Sequence, residues 1–234
     1  NPKEVELDLE HDFNYLLISQ WGPRKNFENA IRWFVEENID QEVGLVIKTN
    51  TMKNCTIDRE FTLNRLQALL APYKDRKCSV TLLHGYMNES FINIAHGEGF
   101  GLPLFDAAIA GLPIITVGWS GQCDFLFVPE KSKKGKIKPK SKFLKVDFNL
   151  APVQPEARWE GVIEADSQWA FAKEGSYKMC LRKMRNEHHV YKGMANSLSE
   201  WILEEFKEDK MYAEFVSAVF DEESFEVEDW LQSL

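Results

Sequence analysis

Short apolar runs alternate with segments of helical periodicity over the first half of the chain, and this alternation constrains the fold more than any other feature. It predicts a parallel β-sheet in which crossover helices connect consecutive strands. We therefore expect an α/β fold, a Rossmann-like open parallel sheet followed by a helical C-terminus. The predicted strands are residues 14–19, 43–48, 79–84, 91–95 and 113–117, with a further candidate at 143–146.

Helical periodicity places two helices between the first three of these strands. They cover residues 26–37 and 58–73, and Asp58 is the expected N-cap of the second because its carboxylate can accept backbone N–H bonds. Residues 168–234 are expected to hold three or four further helices.

One connection is too short for this architecture. Only residues 85–90 separate the third and fourth predicted strands, whereas a parallel crossover that includes its helix needs about 10–12 residues or more. Either these strands are antiparallel, or a helical segment is missing between Ser90 and Phe91. The second explanation is favoured.

Negative charge is concentrated at the C-terminal end. The whole chain has a formal net charge of −9, and residues 207–234 hold nine acidic residues and two lysines, a net charge of −7. This division predicts a folded domain over residues 1–206 and an acidic amphipathic helical tail over residues 207–234. A sequence pI of about 5.2 argues against specific nucleic-acid binding, which usually requires a basic surface.

Four cysteines are scattered through the chain, and no two of them form a Cys-x-x-Cys pair. This spacing disfavours a disulfide framework and a structural zinc site. With no apolar leader and no membrane-length apolar stretch, the sequence predicts a cytoplasmic protein. No Asp-x-Asp pattern follows a strand, and we expect no catalytic metal ion.

The most informative segment is residues 96–115, a glycine-rich turn followed by a short predicted helix that begins near Pro103. Its glycines allow a close approach of the backbone to a ligand, and the N–H groups that open a helix favour an anion. Glu98 lies in the turn and Asp106 in the helix, so two carboxylates could accept hydrogen bonds from both ends of a nucleotide sugar. Alternatively, both only favour the helix through its dipole.

This segment resembles the signature of the group-one glycosyltransferases, which are family-four-like retaining enzymes of the GT-B fold. The family pattern is a glutamate, seven residues and a second acidic residue around a Gly-Phe-Gly-Leu-Pro run, and Glu98 and Asp106 have that spacing. The family usually has glutamate at the second position, and Asp106 is the shorter side chain. The resemblance implies the fold of the C-terminal, nucleotide-sugar-binding half of a GT-B enzyme.

A second match follows the first predicted strand, where residues 19–26 are similar to the phosphate-binding loop of the family. Arg24 and Lys25 would lie at the carboxyl end of a strand, where open α/β sheets bind ligands. The family often carries a further arginine upstream of this lysine, and Gln20 stands there instead. The alternative for Arg24 and Lys25 is a solvated surface pair.

Two other matches are weaker. Residues 83–87 are similar to a strand end that contacts the nucleobase in the family, and Tyr86 or Met87 would cover the base; ordinary packing is the alternative. Residues 118–124 resemble a loop that faces the cleft, where Trp119 would either stack on a sugar or pack in the core.

The resemblance implies a role for each matched residue. Glu98, Arg24 and Lys25 are the implied catalytic residues: Glu98 would hold the sugar hydroxyls, and the two cations would neutralise the diphosphate as it leaves. Asp106 would hold the ribose hydroxyls. The other implied donor-binding positions are Gly99, Phe100, Gly101, Leu102, Gln20, Tyr86 and Met87.

The implied activity is the transfer of a sugar from a nucleoside-diphosphate sugar to an unknown acceptor, with retention of configuration and without a cofactor. The implied partner is an N-terminal acceptor-binding domain, which is expected to be absent from this chain. Two alternatives stay open. One is a GT-B sugar-nucleotide epimerase or phosphorylase, and the other is a non-catalytic module that binds a nucleotide sugar or a partner.

Residues 131–145 contain eight lysines, a glycine and a proline, which predicts an extended, exposed loop. Such a loop could attract an acidic acceptor, a nucleic acid or an anionic membrane, which leaves peripheral membrane contact open. A solvated loop is the favoured interpretation.

Overall fold

The main sheet has six strands, and its neighbouring strands are parallel. The computed structural model describes residues 7–51, 55–84, 92–93, 95–132 and 135–219. The described strands are β1 (Asn14–Ile18), β2 (Gly44–Thr49), β3 (Ser79–His84), β4 (Ile92–Asn93), β5 (Ile115–Val117), β6 (Phe127–Lys131), β7 (Ile137–Ser141), β8 (Leu144–Val146), β9 (Phe148–Pro152) and β10 (Gln168–Ala172). The sheet order β3-β2-β1-β4-β5-β8 confirms the predicted Rossmann-like open parallel sheet.

The helices lie between these strands and over the last third of the chain. The described helices are α1 (Phe27–Glu37), α2 (Thr56–Leu70), α3 (Leu102–Ile109), α4 (Cys123–Leu126), α5 (Glu174–Asn186), α6 (His188–Glu205) and α7 (Glu208–Val219). In α1 the residues Phe27, Ala30, Ile31, Phe34 and Val35 recur at the spacing of one helix face, and all five are buried. This apolar stripe makes the segment helical and attaches it to the sheet.

The strand order reverses at β1, which lies near the centre of the sheet. β2 and β3 lie on one side of β1, and β4, β5 and β8 lie on the other. Open α/β sheets bind ligands outside the carboxyl ends of the two strands where the order reverses. Arg24 and Lys25 follow β1 and Glu98 follows β4, so the topology brings the two sequence motifs to the same crevice.

Two clusters of buried side chains hold the helices on the sheet. The larger one joins β1, β2, β5 and β8 to α1, α2 and α5. In this cluster, the hydroxyl of Tyr15 donates a 2.7 Å hydrogen bond to the carbonyl oxygen of Leu181 in α5. The second core cluster joins α3, α4 and α6 through residues such as Leu104 and Leu198. Because α3 follows the glycine turn directly, the second core cluster fixes that turn against the sheet.

The strand pairing decides between the two explanations of the short junction. β3 pairs in parallel with β2, and β4 pairs in parallel with β1, so the antiparallel alternative is wrong. β3 and β4 are not neighbours, because β2 and β1 lie between them. Residues 85–91 are outside the described residues, and a missing segment between Ser90 and Phe91 stays a prediction.

The lysine-rich segment is a β-hairpin, and the prediction of an extended loop is wrong. β6 and β7 pair antiparallel from Phe127↔Ser141 to Lys131↔Ile137. Gly135 lies in the connecting turn at φ 76°, a left-handed conformation that glycine adopts without steric cost. The density of lysines obscures the period-two alternation by which a strand is normally predicted.

Two further expectations are wrong in detail. Residues 168–172 form β10, which pairs with β9, so the helices of the last third begin only at Glu174. The N-cap of α2 is Cys55, and Asp58 lies inside the first helical turn. The carboxylate of Asp58 is used elsewhere, because it accepts a 3.1 Å hydrogen bond from the N–H of Thr51.

α7 follows α6 after a short break and has no buried residue. It lies within the predicted helical C-terminus, and the division of the chain at residue 206 stays a prediction. Across the residues that the structure describes, no helix combines the length and the apolar character needed to cross a membrane.

Candidate functional site

A cavity of about 330 Å³ opens at the carboxyl ends of β1 and β2. Arg24, Lys25 and Lys48 contribute cations to its lining, and Glu98 contributes a carboxylate. A concave site with a few convergent polar groups is where a small ligand is expected to bind. The other lining residues are Ile18, Ser19, Gln20, Thr49, Asn50 and Pro103.

A 3-10 turn over Pro23–Lys25 positions the first two cations. Pro23 begins the turn, since its fixed φ suits the first helical position. Asn26 ends it at φ 50°, a left-handed conformation that asparagine tolerates better than most residues. The Oδ1 atom of Asn26 accepts a 2.8 Å hydrogen bond from Nδ2 of Asn29 in α1, so the turn is attached to the helix that follows.

Glu98 binds both cations. Its Oε1 lies 2.5 Å from Nζ of Lys25, and its Oε2 lies 3.2 Å from Nη1 of Arg24. The same Nη1 donates to the carbonyl oxygen of Gly97. The side chain of Glu98 is 8% exposed, against 18% for Lys25 and 41% for Arg24. The carboxylate is thus the most deeply buried charge of the cluster, and the two cations compensate its loss of hydration.

The ammonium groups in the cavity are partly desolvated. Burial lowers the pKa of Lys25, while the hydrogen bond from Lys25 to Glu98 and the Glu98 charge act in the opposite direction. Burial also lowers the pKa of Lys48. Desolvation disfavours the charged form of an amine, and a neighbouring anion favours it. The cavity therefore suits a polyanionic ligand, whose charge would stabilise both protonated amines.

Lys48 and Ser19 line the cavity and were not predicted as site residues. Lys48 is the penultimate residue of the buried strand β2. A lysine near the carboxyl end of an otherwise apolar run was the sequence feature that could have indicated it. The Ser19 hydroxyl oxygen is buried and has no hydrogen-bond partner among the residues that the structure describes. Buried hydroxyls normally have a partner, so this oxygen is suited to contact a ligand in the cavity.

The loop after β5 holds the glycine turn that carries Glu98. The hydroxyl of Ser120 donates to the carbonyl oxygen of Glu98 and accepts a 3.2 Å bond from the Glu98 N–H. The N–H of Gly121 donates a 3.2 Å bond to the same carbonyl. A Cβ atom on Gly121 would lie 1.7 Å from the carbonyl oxygen of Gly99. The two loops therefore meet as closely as backbone atoms allow, and the contact fixes the position of Glu98.

Two aromatic side chains near the site have structural contacts. Trp119 packs on the larger core cluster and lies 5.8 Å from Phe148 between ring centroids, which favours its packing alternative. His96 is buried, and its Nδ1 donates a 2.7 Å hydrogen bond to the carbonyl of Ala170 in β10. The N–H of His96 also donates a 2.8 Å bond to the carbonyl of Arg24. His96 thereby connects the cation-bearing turn to β10.

Of the remaining predicted donor-binding residues, some line the cavity and others do not. Gln20 lines the cavity, and its Nε2 donates a 3.4 Å hydrogen bond to the carbonyl of Thr51. Phe100 packs against Phe105 and Phe125 rather than towards the cavity. Tyr86 and Met87 lie outside the described residues. The residues of the turn and of the start of α3 that do not line the described cavity are Gly99, Phe100, Gly101 and Leu102.

Asp106 is exposed on α3 and is not part of the described cavity lining. The structure does not bring it into the ion cluster of Arg24, Lys25 and Glu98. A ligand would have to extend out of the cavity along α3 to reach its carboxylate. Its role in binding ribose stays a prediction.

A second buried polar cluster lies beside the cavity, at the carboxyl ends of β2 and β3, and was not predicted. Oδ2 of Asp58 lies 3.0 Å from Nε2 of His84, and both side chains are almost fully buried. The hydroxyl oxygens of Thr51 and Thr62 lie 3.0 Å apart in the same region. Because His84 is the last residue of β3, this cluster fixes the strand end that precedes the expected nucleobase segment.

Comparison with protein-family models and with curated proteins finds no match. Several solved structures are similar in fold. One is the catalytic domain of starch synthase IV from Arabidopsis thaliana bound to ADP and acarbose, with 16% identity and a TM-score of 0.45. The similarity covers 83% of this chain but only 36% of that domain, so the chain spans little more than a third of its length.

Two further structures are similar at the same level. The C-terminal domain of LpcC, a group 1 family glycosyl transferase from Francisella tularensis, has 12% identity and a TM-score of 0.46, covering 86% of this chain and 89% of that one. The lipopolysaccharide outer core galactosyltransferase WaaB has 13% identity and a TM-score of 0.48, covering 94% of this chain and 54% of that one. At this level of similarity a shared activity does not follow.

Proposed function

We propose that this chain is the donor-binding half of a retaining, metal-independent glycosyltransferase that uses a nucleoside-diphosphate sugar. The observation that carries the proposal is the cluster of Arg24, Lys25 and Lys48 with the buried Glu98 at the reversal point of a parallel sheet. This cluster supplies three positive charges for a diphosphate and one carboxylate for sugar hydroxyls. A nucleoside-diphosphate sugar presents both kinds of group.

The cations act on the leaving group. When the bond between the sugar and the diphosphate breaks, negative charge develops on the phosphate oxygen that leaves. Fixed cations in a partly desolvated site lower the barrier of such a step, because they stabilise the charge without reorganising. The family often has an arginine at the position of Gln20. Because Lys48 and Gln20 line the same cavity, Lys48 would supply a positive charge there instead. No divalent ion is then needed for the neutralisation.

Glu98 and the glycine turn act on the sugar. A carboxylate that accepts hydrogen bonds from two neighbouring hydroxyls fixes the orientation of the ring. The contacts of Ser120 and Gly121 with the Glu98 backbone hold this carboxylate in place. Retention would follow from attack of the acceptor on the face that the phosphate leaves, without a protein nucleophile. The resemblance of residues 96–115 supports this stereochemistry.

The nucleoside would extend out of the cavity. Asp106 would bind the ribose hydroxyls, and Tyr86 or Met87 would cover the base. The buried pair of Asp58 and His84 supports the strand end from which that segment starts.

Calorimetric titration of the chain with UDP, GDP, ADP and dTDP tests the binding half of the proposal. We expect one diphosphate to bind, Lys25→Ala and Lys48→Met to weaken it, and Lys138→Ala in the exposed hairpin to leave it unchanged. If none of the four binds, or if Lys138→Ala weakens binding as much as Lys25→Ala, the proposed site is wrong.

Turnover of the nucleotide sugar by the full-length protein tests the chemistry. We expect transfer to a saccharide acceptor in the presence of EDTA, and a product whose anomeric configuration matches that of the donor. An inverted product would reject retention, and loss of activity in EDTA would reject metal independence. An epimerised nucleotide sugar formed without an acceptor would identify an epimerase instead.

A further inference from the structure

The lysine hairpin comprises residues 127–142, of which the structure describes 127–132 and 135–142. At its base, Val128 is buried in the second core cluster, and Nζ of Lys142 lies 3.4 Å from the hydroxyl of Ser197 in α6. Beyond the base, every residue from Lys136 to Lys140 is exposed, although successive side chains point to opposite faces of the ribbon. Both faces of the outer part therefore contact solvent.

The charge of the lysine hairpin is opposite to that of the rest of the chain. Its sequence contains seven lysines and one glutamate, a net charge of +6. Because the whole chain carries −9, the remaining residues carry −15. Glu130 binds Lys140 at 3.0 Å and Lys142 at 2.5 Å, and the other described lysines of the hairpin, Lys131, Lys136 and Lys138, are exposed. The described outer residues of the hairpin thus form a basic surface, while the rest of the sequence carries a net negative charge.

The side chains of the outer part favour a lipid surface over a nucleic acid. Residues 129–140 contain no arginine and no aromatic residue, the side chains that most often read base edges and stack on bases. Ile137, flanked by Lys136 and Lys138, is 64% exposed. An apolar side chain between lysines fits a bilayer interface, where it enters the acyl boundary while the ammonium groups reach the headgroups.

We infer that the lysine hairpin is a docking surface for an anionic lipid membrane. Its ammonium groups contact the headgroup phosphates, and Ile137 enters the interface. The repulsion between the membrane and the acidic remainder of the chain turns that remainder away, so one orientation is favoured. This inference concerns a surface separate from the cavity and does not depend on the proposed function.

Co-sedimentation with lipid vesicles tests the inference. We expect the chain to bind vesicles of phosphatidylcholine with about one third phosphatidylglycerol at low ionic strength, and to be released at about 0.5 M salt. Vesicles of phosphatidylcholine alone should not bind it. Lys131→Gln, Lys136→Gln and Lys138→Gln together should lower the partition coefficient on the order of 100-fold. These three substitutions leave the ion pairs of Glu130 intact.

A matched triple variant controls for net charge. Lys74→Gln, Lys77→Gln and Lys183→Gln remove the same charge from exposed positions outside the hairpin and should leave vesicle binding within a few fold of the wild type. Ile137→Ser should weaken binding while preserving its salt dependence. Equal losses in the two triple variants, no binding to phosphatidylglycerol vesicles, or displacement from vesicles by a short DNA duplex would each overturn the inference.

Discussion

The cavity and the lysine hairpin both carry lysines, but the two regions expose them to very different extents. The Lys25 side chain is 18% exposed and lies 2.5 Å from a buried carboxylate, whereas that of Lys140 in the hairpin is 64% exposed. The ion pair with Glu98 holds the ammonium group of Lys25 in one position. The outer hairpin lysines Lys131, Lys136 and Lys138 are exposed to water, where a charge interacts weakly with any one partner.

This difference separates two uses of the same side chain. A partly desolvated ammonium in a fixed position can recognise one anionic group and stabilise charge at one atom. A set of exposed ammonium groups generates a field that attracts any anionic surface and that salt screens within about 10 Å. Substitutions in the cavity should therefore change affinity or rate at one site, and substitutions in the hairpin should change salt-dependent association.

The largest effect is expected for Lys25→Ala. Removing a positioned group that stabilises a leaving anion costs on the order of 100–1,000-fold in rate. We expect a loss of this size in the turnover of the full-length protein, and no change for Lys138→Ala. Near-wild-type turnover of Lys25→Ala would refute its role, and a similar loss for both variants would remove the distinction between the two regions.

Two glycines offer the next test, on stability. Gly121→Ala places a Cβ atom 1.7 Å from the carbonyl oxygen of Gly99, and we expect a loss of about 3 kcal/mol in the free energy of unfolding. Gly135→Ala in the hairpin turn meets no atom of the described residues but keeps a φ of 76°, and should cost about 1 kcal/mol. Urea denaturation measures both. The control Gly22→Ala places its Cβ where none of the described atoms lies within 4 Å, on an extended backbone, and should be neutral.

Asp106→Ala should have a smaller effect, confined to binding. Contacts with ribose change little during the reaction, so the dissociation constant of the nucleoside diphosphate should rise about tenfold while the rate of the bound complex is kept. Calorimetry and saturation kinetics separate the two quantities. Asp209→Ala, at another exposed helical position, is the control. An unchanged dissociation constant for Asp106→Ala would reject its assignment.

The smallest effect is a pH dependence of diphosphate binding. Burial lowers the pKa of Lys25, so its charged form, which attracts the diphosphate, is lost as the pH rises through a value below its usual range. Affinity should accordingly decline at a lower pH than an ordinary lysine would give. Glu98→Gln removes the partner that raises this pKa, and the decline should begin at a lower pH. Titrations at several pH values measure this, and identical profiles for the two proteins would contradict the coupling.

Most of the sheet could be predicted because each strand of it is a short apolar run. Asn14–Ile18, Gly44–Thr49 and Ser79–His84 lie within a residue of their predicted bounds. The lysine hairpin could not be predicted, since its strands are stabilised by pairing with each other and by burial of Val128 at the base. The strand Gln168–Ala172 was missed for a similar reason, because its partner among the described strands is β9, about 20 residues earlier.

The site residues that belong to a local sequence motif could be predicted. Arg24, Lys25 and Glu98 were found from two separate motifs, and the topology explains why they meet. Lys48 was missed because one lysine at the end of an apolar strand carries no motif. The pair of Asp58 and His84 was missed since its members are 26 residues apart and meet only through tertiary packing. Sequence patterns thus indicated the charged side chains on turns. They missed the side chains that only the folded sheet brings to the site.

The ion pairs of Glu98 have a consequence for turnover. Within the chain, this carboxylate already occupies the two cations that the proposed reaction assigns to the diphosphate. An anion that enters competes with this internal counterion, which lowers its net affinity for the two cations. After the sugar has been transferred, Glu98 competes with the remaining diphosphate for Arg24 and Lys25. The residue that would orient the donor would thus also hasten product release.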